Sequence, residues 1–558
     1  MKTPFLIFLL PILVFGQVKQ STSRPSNRLS KTSVFQYKNL DGNAINCTIS
    51  SGGPFADYRA TNSSGLEWPK GTGKTAIYTA GIWLGGIHRP TKELRISHQY
   101  YDSEFQPGII PDTFNTSTNN ESIYIDGSYD PRYRLYKINR NDTLHPTLNS
   151  DYREWPGDLG APYLDVNMNG VWDAGIDKPQ FFGDQQIWCV YNDANITCHN
   201  NFSLSKPMGI EVQVLYAASR QFRYYENSMF IRWRIINKSD ADYDSVYFGI
   251  FSDFDLGDAN DDLPGCDTLL NLGYVYNGSD FDPGTHGYGA QPPAVGFQLI
   301  NGPRIPGVPS DSARVGGIWR HGFRQLTMTS FVFVHPLAWL PDWWWDGDYY
   351  YDSYYFLKGG YPRLTDLQDS RFKFTFSGDP IAKTGNLPEN FPLGIFAPQD
   401  IMILLSSGPF TLAKRDTQEI VAALLICQGK NRLESLQFLK NLASYTLLED
   451  FSGDAYFLPT PMPVAPELYA LKQNYPNPFN PETVIQYELP GPAHAIVRIY
   501  NALGQLTATL VDEEKGAGIH RTVWNSTTQS GAQAASGVYF YSLEANGSLF
   551  SRKMILIR

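Results

Sequence analysis

The segment from residue 163 to residue 180 reads YLDVNMNGVWDAGIDKPQ and carries oxygen-bearing side chains at alternate positions. Gly170 permits a sharp turn in the middle of the segment, and the next residue offers a main-chain carbonyl. Ca²⁺ takes about six to eight oxygen ligands from loops of this kind. The segment therefore predicts a calcium site with the ligands Asp165, Asn167, Asn169, Val171, Asp173 and Asp177.

The spacing resembles the D-x-N-x-N-G-x-x-D calcium loops of extracellular proteins. It departs from the EF-hand, because Ile176 stands where that loop has its bidentate glutamate and the next acid is Asp177. A solvated turn built from the same Asp and Asn residues is the alternative.

A second acidic segment, FSDFDLGDANDDLPGCD, spans residues 251–267 and directly follows the strand-like run DSVYFGI. Carboxylates this dense repel one another unless a cation or solvent lies between them. We expect calcium here, with the ligands Asp253, Asp255, Asp258, Asp261 and Asp262. Two alternatives remain open, a solvated acidic loop and the paired catalytic carboxylates of a glycoside hydrolase.

The run LAWLPDWWWDGDYYYDSYYF at residues 337–356 is dense in aromatic side chains. Such side chains combine a flat apolar face with a polar tip, which suits contact with sugar rings. The candidate ligand platform consists of Trp343, Trp344, Trp345, Tyr349 and Tyr350. Because consecutive residues of a strand point to opposite faces, part of this run is expected in a core, and a purely structural role is the alternative.

The stretch WPKGTGKT at residues 68–75 ends like a phosphate-binding loop but has Trp68 where that loop needs its first glycine. The β-branched and aromatic residues that follow predict a strand rather than a helix, so no nucleotide is expected. The net charge of −10, with no block of basic residues, argues against a nucleic-acid partner. We find no metalloprotease, serine-hydrolase or cysteine-nucleophile motif.

The elements that must position these residues are strands. Aromatic residues make up 14% of the chain, and 48 Gly and 38 Pro interrupt long β-prone runs such as those at 209–218 and 228–238. These features predict an all-β fold, with a large antiparallel β-sandwich-like region and long loops over residues 41–450, forming one or two domains. One late helix is predicted from Leu433, Leu436, Leu439, Leu442 and Ala443, which fall on one helical face.

The N-terminal residues 1–16 have the charged start, short apolar run and small final residue of a signal peptide, and residues 17–40 read as a flexible lead-in. No later apolar run is long enough for a transmembrane segment. In the oxidising compartment that export implies, Cys189 and Cys198 could form a hairpin disulfide. A bond between Cys47 and Cys266 has no support from spacing, and Cys427 is expected to be a buried free thiol.

A Pro-rich linker at 451–470 precedes a tail, residues 471–558, in which alternating stretches are separated by turn residues. The motifs NYPNPFNP, IYNALGQ, SGVYFYSL and RKMILIR resemble the C-terminal sorting domain of type IX secretion cargo, which is similar to the Ig-like domain of flagellar hook-capping proteins. The resemblance implies an Ig-like β-sandwich, the type IX machinery as partner, and export across both membranes of a Gram-negative bacterium. An ordinary Ig-like adhesion domain is the alternative.

Together these patterns predict an exported cell-surface or secreted protein, stabilised by Ca²⁺, with a structural, adhesive or glycan-contacting role and without enzymatic activity. A secreted carbohydrate-active hydrolase using carboxylates of the 253–267 loop is the alternative.

Overall fold

The computed structural model describes residues 35–58, 63–100, 103–110, 130–199, 203–220, 225–315, 318–334, 349–360, 373–391, 396–446, 469–474, 477–490, 493–515 and 518–557. The predicted signal peptide, most of the Pro-rich linker and Trp343, Trp344 and Trp345 lie outside these residues.

Strands account for 48% of the structure and helices for 11%, which confirms the all-β prediction. The first strands are β1 Tyr37–Leu40, β2 Asn46–Ser50, β3 Asp57–Tyr58, β4 Ser63–Ser64, β5 Leu66–Glu67, β6 Thr75–Ile77, β7 Thr79–His88, β8 Leu94–His98, β9 Gln106–Pro107, β10 Tyr136–Asn139, β11 Tyr163–Leu164, β12 Lys178–Pro179 and β13 Gln185–Asn192. There follow β14 Ile210–Ala218, β15 Ser228–Asn237, β16 Tyr243–Phe254, β17 Asp262–Asp267, β18 Leu272–Asn277, β19 Ala294–Asn301, β20 Arg304–Pro306, β21 Ser312–Val315, β22 Ile318–His321, β23 Phe323–Gln325, β24 Ser330–Phe333, β25 Ile401–Leu412 and β26 Thr417–Cys427.

Two large antiparallel sheets organise these strands. A nine-stranded sheet has the order β10-β13-β14-β15-β26-β19-β18-β17, with β9 also paired to β13, and a five-stranded sheet has the order β24-β25-β16-β7-β8. A smaller four-stranded sheet has the order β1-β2-β5-β6, and its last strand directly precedes β7 in the sequence. Buried aromatic side chains join the large sheets, with the rings of Trp233 and Phe248 5.5 Å apart between their centroids. The predicted sandwich-like packing is therefore present.

The described α-helices, apart from several short 3₁₀ helices, are α1 Ser150–Arg153, α2 Ile196–His199, α3 Tyr349–Leu357 and α4 Arg432–Thr446. Helix α4 is the predicted late helix, and it packs on β18, β19 and β26. Leu436, Leu439, Leu442 and Ala443 are buried, while Leu433 is partly buried against the same core. Of the described helices, none is both long and apolar enough to span a membrane.

The tail has its own hydrophobic core and seven strands, which are β27 Ala470–Leu471, β28 Thr483–Leu489, β29 Ala493–Asn501, β30 Leu506–Lys515, β31 Gly518–Trp524, β32 Gly537–Ala545 and β33 Ser548–Leu556. They form two antiparallel sheets, β27-β28-β31 and β30-β29-β32-β33. Trp524, Ile485, Val497 and Tyr541 are buried between them. This is the sandwich that the alternating tail sequence predicts.

Three predictions about the body, the part of the chain before the tail, need correction. The lead-in predicted up to residue 40 includes β1, which pairs with β2 and ends at the buried side chain of Leu40. The disulfide between Cys189 and Cys198 is not formed, because Cys189 is a free thiol buried in the middle of β13 while Cys198 lies in α2. Cys47 and Cys266 are also free and buried, and the free thiol of Cys427 is half-buried rather than buried.

Candidate metal centre

Three aspartates meet at one end of the five-stranded sheet. Asp253 lies opposite Met402 and Phe254 opposite Ile401 in the β16–β25 ladder, so Asp255 and Asp400 are the next pair beyond the strand ends. Residues opposite each other share a sheet face, and residues two apart do as well. The register therefore brings the carboxylates of Asp253, Asp255 and Asp400 together, with ligand oxygens that all lie within 4.8 Å of one another.

A hydroxyl group lies on the same face. Thr79 of β7 is directly opposite Asp253 of β16, and both side chains are buried, with exposed fractions of 0% and 4%. The Oγ1 of Thr79 has no hydrogen-bond partner among the described residues. The main chain beside it is well fixed, since Tyr78 N donates to Asp253 O at 2.9 Å. The register thus places the Thr79 hydroxyl on the same sheet face as the carboxylates, and we define the acidic centre as Thr79, Asp253, Asp255 and Asp400.

The electrostatics of the centre favour a cation. Burial, and then the charge of Asp400, raise the pKa of Asp255 to about 6, while His286 acts in the opposite direction. A raised carboxyl pKa means that the neighbourhood stabilises the negative charge poorly. A divalent cation held by the three carboxylates would remove this repulsion.

The acidic centre borders a polar cleft with a volume of about 630 Å³. Asp255 lines the cleft together with Gly257, Ala259 and His286, and most of the other lining residues belong to β1, β2, β4, β5 and β6. Asp253 lies behind this wall, nearly inaccessible to solvent. The centre is therefore closed on the side of the sheet and borders the cleft at Asp255.

The other three aspartates predicted as ligands in the second acidic loop accept hydrogen bonds from residues in or near that loop. Asp258 Oδ1 accepts from Asn260 N at 3.1 Å at the start of a short 3₁₀ helix, Ala259–Asp261, and Asp261 Oδ1 accepts from Asn277 Nδ2 at 2.9 Å. Asp262 is fully buried, and its Oδ2 accepts from Leu256 N at 3.3 Å. The five predicted ligands are thus divided: Asp253 and Asp255 join Asp400, and the other three do not join that group.

The 165–177 loop is a turn between β11 and β12, which pair with each other. Its side chains bind one another: Asp173 Oδ2 accepts from Asn167 Nδ2 at 2.7 Å and from Asn169 Nδ2 at 2.6 Å. Asp165 Oδ2 accepts from Gly170 N at 2.7 Å, and Gly170 has the positive φ of +81° that the sequence suggests. Asp177 is buried and holds the loop through Val166 N and Asp173 N, at 2.9 and 2.7 Å.

The arrangement in this loop is a closed hydrogen-bonded turn, in which Val171 is 58% exposed. Among the described residues, Asp165, Asp173 and Asp177 do not form a group whose ligand oxygens all lie within 4.8 Å of one another, as those of the acidic centre do. Binding calcium here would require the amides of Asn167 and Asn169 to present their oxygens instead of their NH₂ groups.

The GTGKT segment forms a turn that leads into β6 and β7, as predicted, and not into a helix. Its backbone surrounds a carboxylate of the protein: Gly73 N donates to Glu67 Oε1 at 2.7 Å, and Asn46 Nδ2 donates to Oε2 at 3.0 Å. Although burial raises the pKa of Glu67, these donors lower it overall. The position where a phosphate would bind in a nucleotide site is thus taken by Glu67.

The predicted aromatic platform is described only in part. Tyr349 and Tyr350 begin helix α3, which shows that this end of the run is helical rather than extended. Tyr354 of the same helix donates a hydrogen bond to Ser245 O at 2.7 Å and packs edge-on against Tyr247, with ring centroids 5.7 Å apart. For the described part of the run, these contacts favour the structural alternative.

The sequence reasoning missed Asp400 and Thr79. Asp400 directly precedes β25 in the run DIMILLSSGPF, far along the chain from the acidic loop, and Thr79 is the first residue of β7. The available signal was that each polar residue stands at the start of a long apolar run, but only the pairing register shows that both ends meet Asp253.

Comparison with known proteins identifies one domain. The model of the FlgD Ig-like domain family matches residues 479–548, which fall within the tail sandwich. No curated protein matches the chain. The tail is therefore similar to an Ig-like domain, and the match covers too little of the chain to assign the whole protein to a family.

Two solved structures have remote similarity. A polysaccharide lyase is 7% identical with a TM-score of 0.21, over 63% of this chain and 35% of that chain. The dimeric latent PorU from Porphyromonas gingivalis is 11% identical with a TM-score of 0.15, over 67% of this chain and 31% of that chain. The chain spans about a third of the length of each. With TM-scores this low, neither likeness indicates a function.

Proposed function

We propose that this chain is an exported β-rich protein whose body is stabilised by Ca²⁺ at the acidic centre, and that its role outside the cell is structural, adhesive or glycan-contacting. The convergence of three carboxylates within 4.8 Å of one another carries the proposal. Hard divalent cations prefer oxygen ligands of this kind, and three carboxylates with a hydroxyl provide half or more of the ligands that Ca²⁺ needs.

The metal proposal is tested by thermal unfolding of the purified protein in CaCl₂ and in EGTA. Because ion binding to the folded state stabilises it by mass action, we expect the midpoint to rise with calcium concentration. Elemental analysis of the dialysed protein counts the bound ions. An unfolding midpoint that does not change with calcium concentration, together with no bound metal, would rule out a structural calcium centre.

The tail is proposed to be the sorting domain for type IX secretion. Support comes from the Ig-like family match at 479–548 and from the motifs that flank and fill it. We expect deletion of residues 471–558 to leave the protein in the periplasm of a Gram-negative host with type IX machinery. The control is the calcium-dependent melting of the truncated body, since an unfolded body would also fail to leave. A folded, truncated protein on the cell surface would contradict the assignment.

The hydrolase alternative has one observation in its favour, namely that a carboxyl group with a pKa of about 6 lies in the wall of a cleft. General acids of glycosidases have raised pKa values. However, their two carboxyl groups are separated by about 5–9 Å to accommodate the glycosidic bond and water, while these three crowd around one point. Release of reducing sugars from polysaccharides, abolished in Asp255→Asn and retained in EGTA, would favour the hydrolase.

A further inference from the structure

The acidic centre has an inner and an outer side. Thr79 and Asp253 form the inner side, where both side chains are buried, and Asp255 is half-exposed in the cleft wall. An ion bound at this point would receive one oxygen each from three carboxylates and one hydroxyl. Because Ca²⁺ takes about six to eight oxygens, at least two coordination positions remain for a ligand from the cleft.

Thr79 is the observation that separates this centre from an ordinary acidic patch. Its side chain is completely buried, and its Oγ1 has no hydrogen-bond partner among the described residues. A buried hydroxyl without a partner is energetically unfavourable, and a bound ion would offset that cost. Its register opposite Asp253 places it on the face that carries the three carboxylates.

The cleft itself is built for neutral polar groups. Its lining includes the amides of Asn39 and Asn46 and the hydroxyl groups of Thr48, Ser63, Ser64 and Thr75. None of the described lining residues is Lys or Arg, so the cleft offers no fixed cation to an anionic ligand. Glu67 is bound by Gly73 and Asn46. The volume of about 630 Å³ falls in the range of small-molecule sites.

We propose that the ion at Asp253, Asp255 and Asp400 binds two neighbouring hydroxyl groups of a neutral saccharide, whose remaining hydroxyl groups contact the amides and hydroxyls of the cleft. This inference rests on the proposed calcium centre, and it names the ligand class and the place of contact. Vicinal hydroxyl groups match the centre because they supply two neutral oxygens to adjacent positions of a large, flexible coordination sphere.

The experiment combines calcium titration by calorimetry with saturation-transfer NMR on methyl α-mannoside and methyl α-galactoside, which differ in the orientation of their vicinal hydroxyls. We expect at least one glycoside to bind in CaCl₂ and to lose at least ten-fold in affinity in EGTA. Asn39→Leu should weaken glycoside binding at least five-fold and leave calcium affinity unchanged. Asp158→Asn, which alters an exposed carboxylate on a short 3₁₀ helix, should change neither.

The possible results distinguish the proposal of saccharide binding from the proposal of a calcium centre. Calcium binding without binding of either glycoside overturns this inference and leaves the calcium centre standing. No calcium binding overturns both. Glycoside binding that persists in EGTA shows that the cleft does not act through the ion and also overturns the inference.

Discussion

Two carboxylate clusters in the body of this protein differ in how their charge is balanced. In one, Glu104 is 1% exposed and lies between two buried imidazoles, with Oε2 at 3.2 Å from His98 Nδ1 and 3.7 Å from His199 Nδ1. Its carboxylate also accepts from His98 N at 2.9 Å and Ser203 N at 2.8 Å. The acidic centre, in contrast, brings three carboxylates close together, and the Thr79 hydroxyl lies on the same sheet face.

The pKa values of Glu104 and Asp255 are shifted in opposite directions. Burial raises the pKa of Glu104, but His199 and His98 lower it more, so the net pKa is below the ordinary value. At Asp255, burial and Asp400 both raise the pKa, to about 6. Buried charge is tolerated when the protein itself supplies the partner. We infer that the Glu104 cluster is complete within the chain, whereas the acidic centre requires a cation from outside.

The largest expected effect follows from neutralising Asp400. Asp400→Asn removes one of three charges, so calcium affinity should fall on the order of a hundred-fold. In EGTA the same variant should melt above the wild type, because the remaining carboxylates repel each other less. Calorimetry and thermal melts measure both effects, with Asp158→Asn as the charge-matched control. A variant that melts lower than the wild type in EGTA would show that the carboxylate repulsion is unimportant.

The second-largest effect is expected when the charge of Glu104 is removed. Glu104→Gln leaves the hydrogen-bond acceptor but removes the charge between two imidazoles, and we expect a loss of about 2 kcal/mol near neutral pH. Because the folded pKa is lowered, the unfolded chain binds the proton more strongly. The contribution is therefore complete above the ordinary glutamate pKa and is lost as the pH falls through the folded pKa.

Urea unfolding between about pH 3 and about pH 6 tests this sign, read as the difference between the wild type and Glu104→Gln. The difference should shrink as the pH falls, and it should be the same in CaCl₂ and in EGTA. A calcium-dependent difference would mean that the two clusters are not independent.

The sequence was informative where a property is local. The all-β class, the late Leu-rich helix, and the turn at GTGKT each depend on neighbouring residues, and the structure has them. The acidic centre depends on register: Asp400 reaches Asp253 only because β25 pairs with β16, and composition does not specify strand pairing. The predicted disulfide between Cys189 and Cys198 was wrong because Cys189 lies in the middle of a strand, and the sequence pattern did not show where that strand ends.

A third effect tests how the loop after β16 holds Asp255 in place. Gly257 has a φ of +75°, and a Cβ there would lie 1.9 Å from Asp282 Oδ2. Gly284 has a φ of +87° with nothing within 4 Å, so it is a matched control for the backbone cost alone. Gly257→Ala should therefore cost roughly 1 kcal/mol more than Gly284→Ala in urea unfolding. It should also weaken calcium binding, and equal costs would show that the loop adapts without disturbing Asp282.

The smallest effect on stability is expected at the 165–177 loop, where the motif is clearest in sequence but the side chains already bind one another. Asp165→Asn changes a surface turn and should shift the unfolding free energy by less than about 0.5 kcal/mol.

Terbium luminescence tests whether this loop binds an ion. Trp172 is partly buried beside Tyr163, with ring centroids 5.3 Å apart. If Tb³⁺ replaces calcium in this loop, excitation of Trp172 should sensitise the luminescence of the Tb³⁺ ion. Asp165→Asn should abolish that signal, and Asp400→Asn should preserve it. Luminescence that disappears in Asp400→Asn instead would place the bound ion at the acidic centre and leave this loop as a hydrogen-bonded turn.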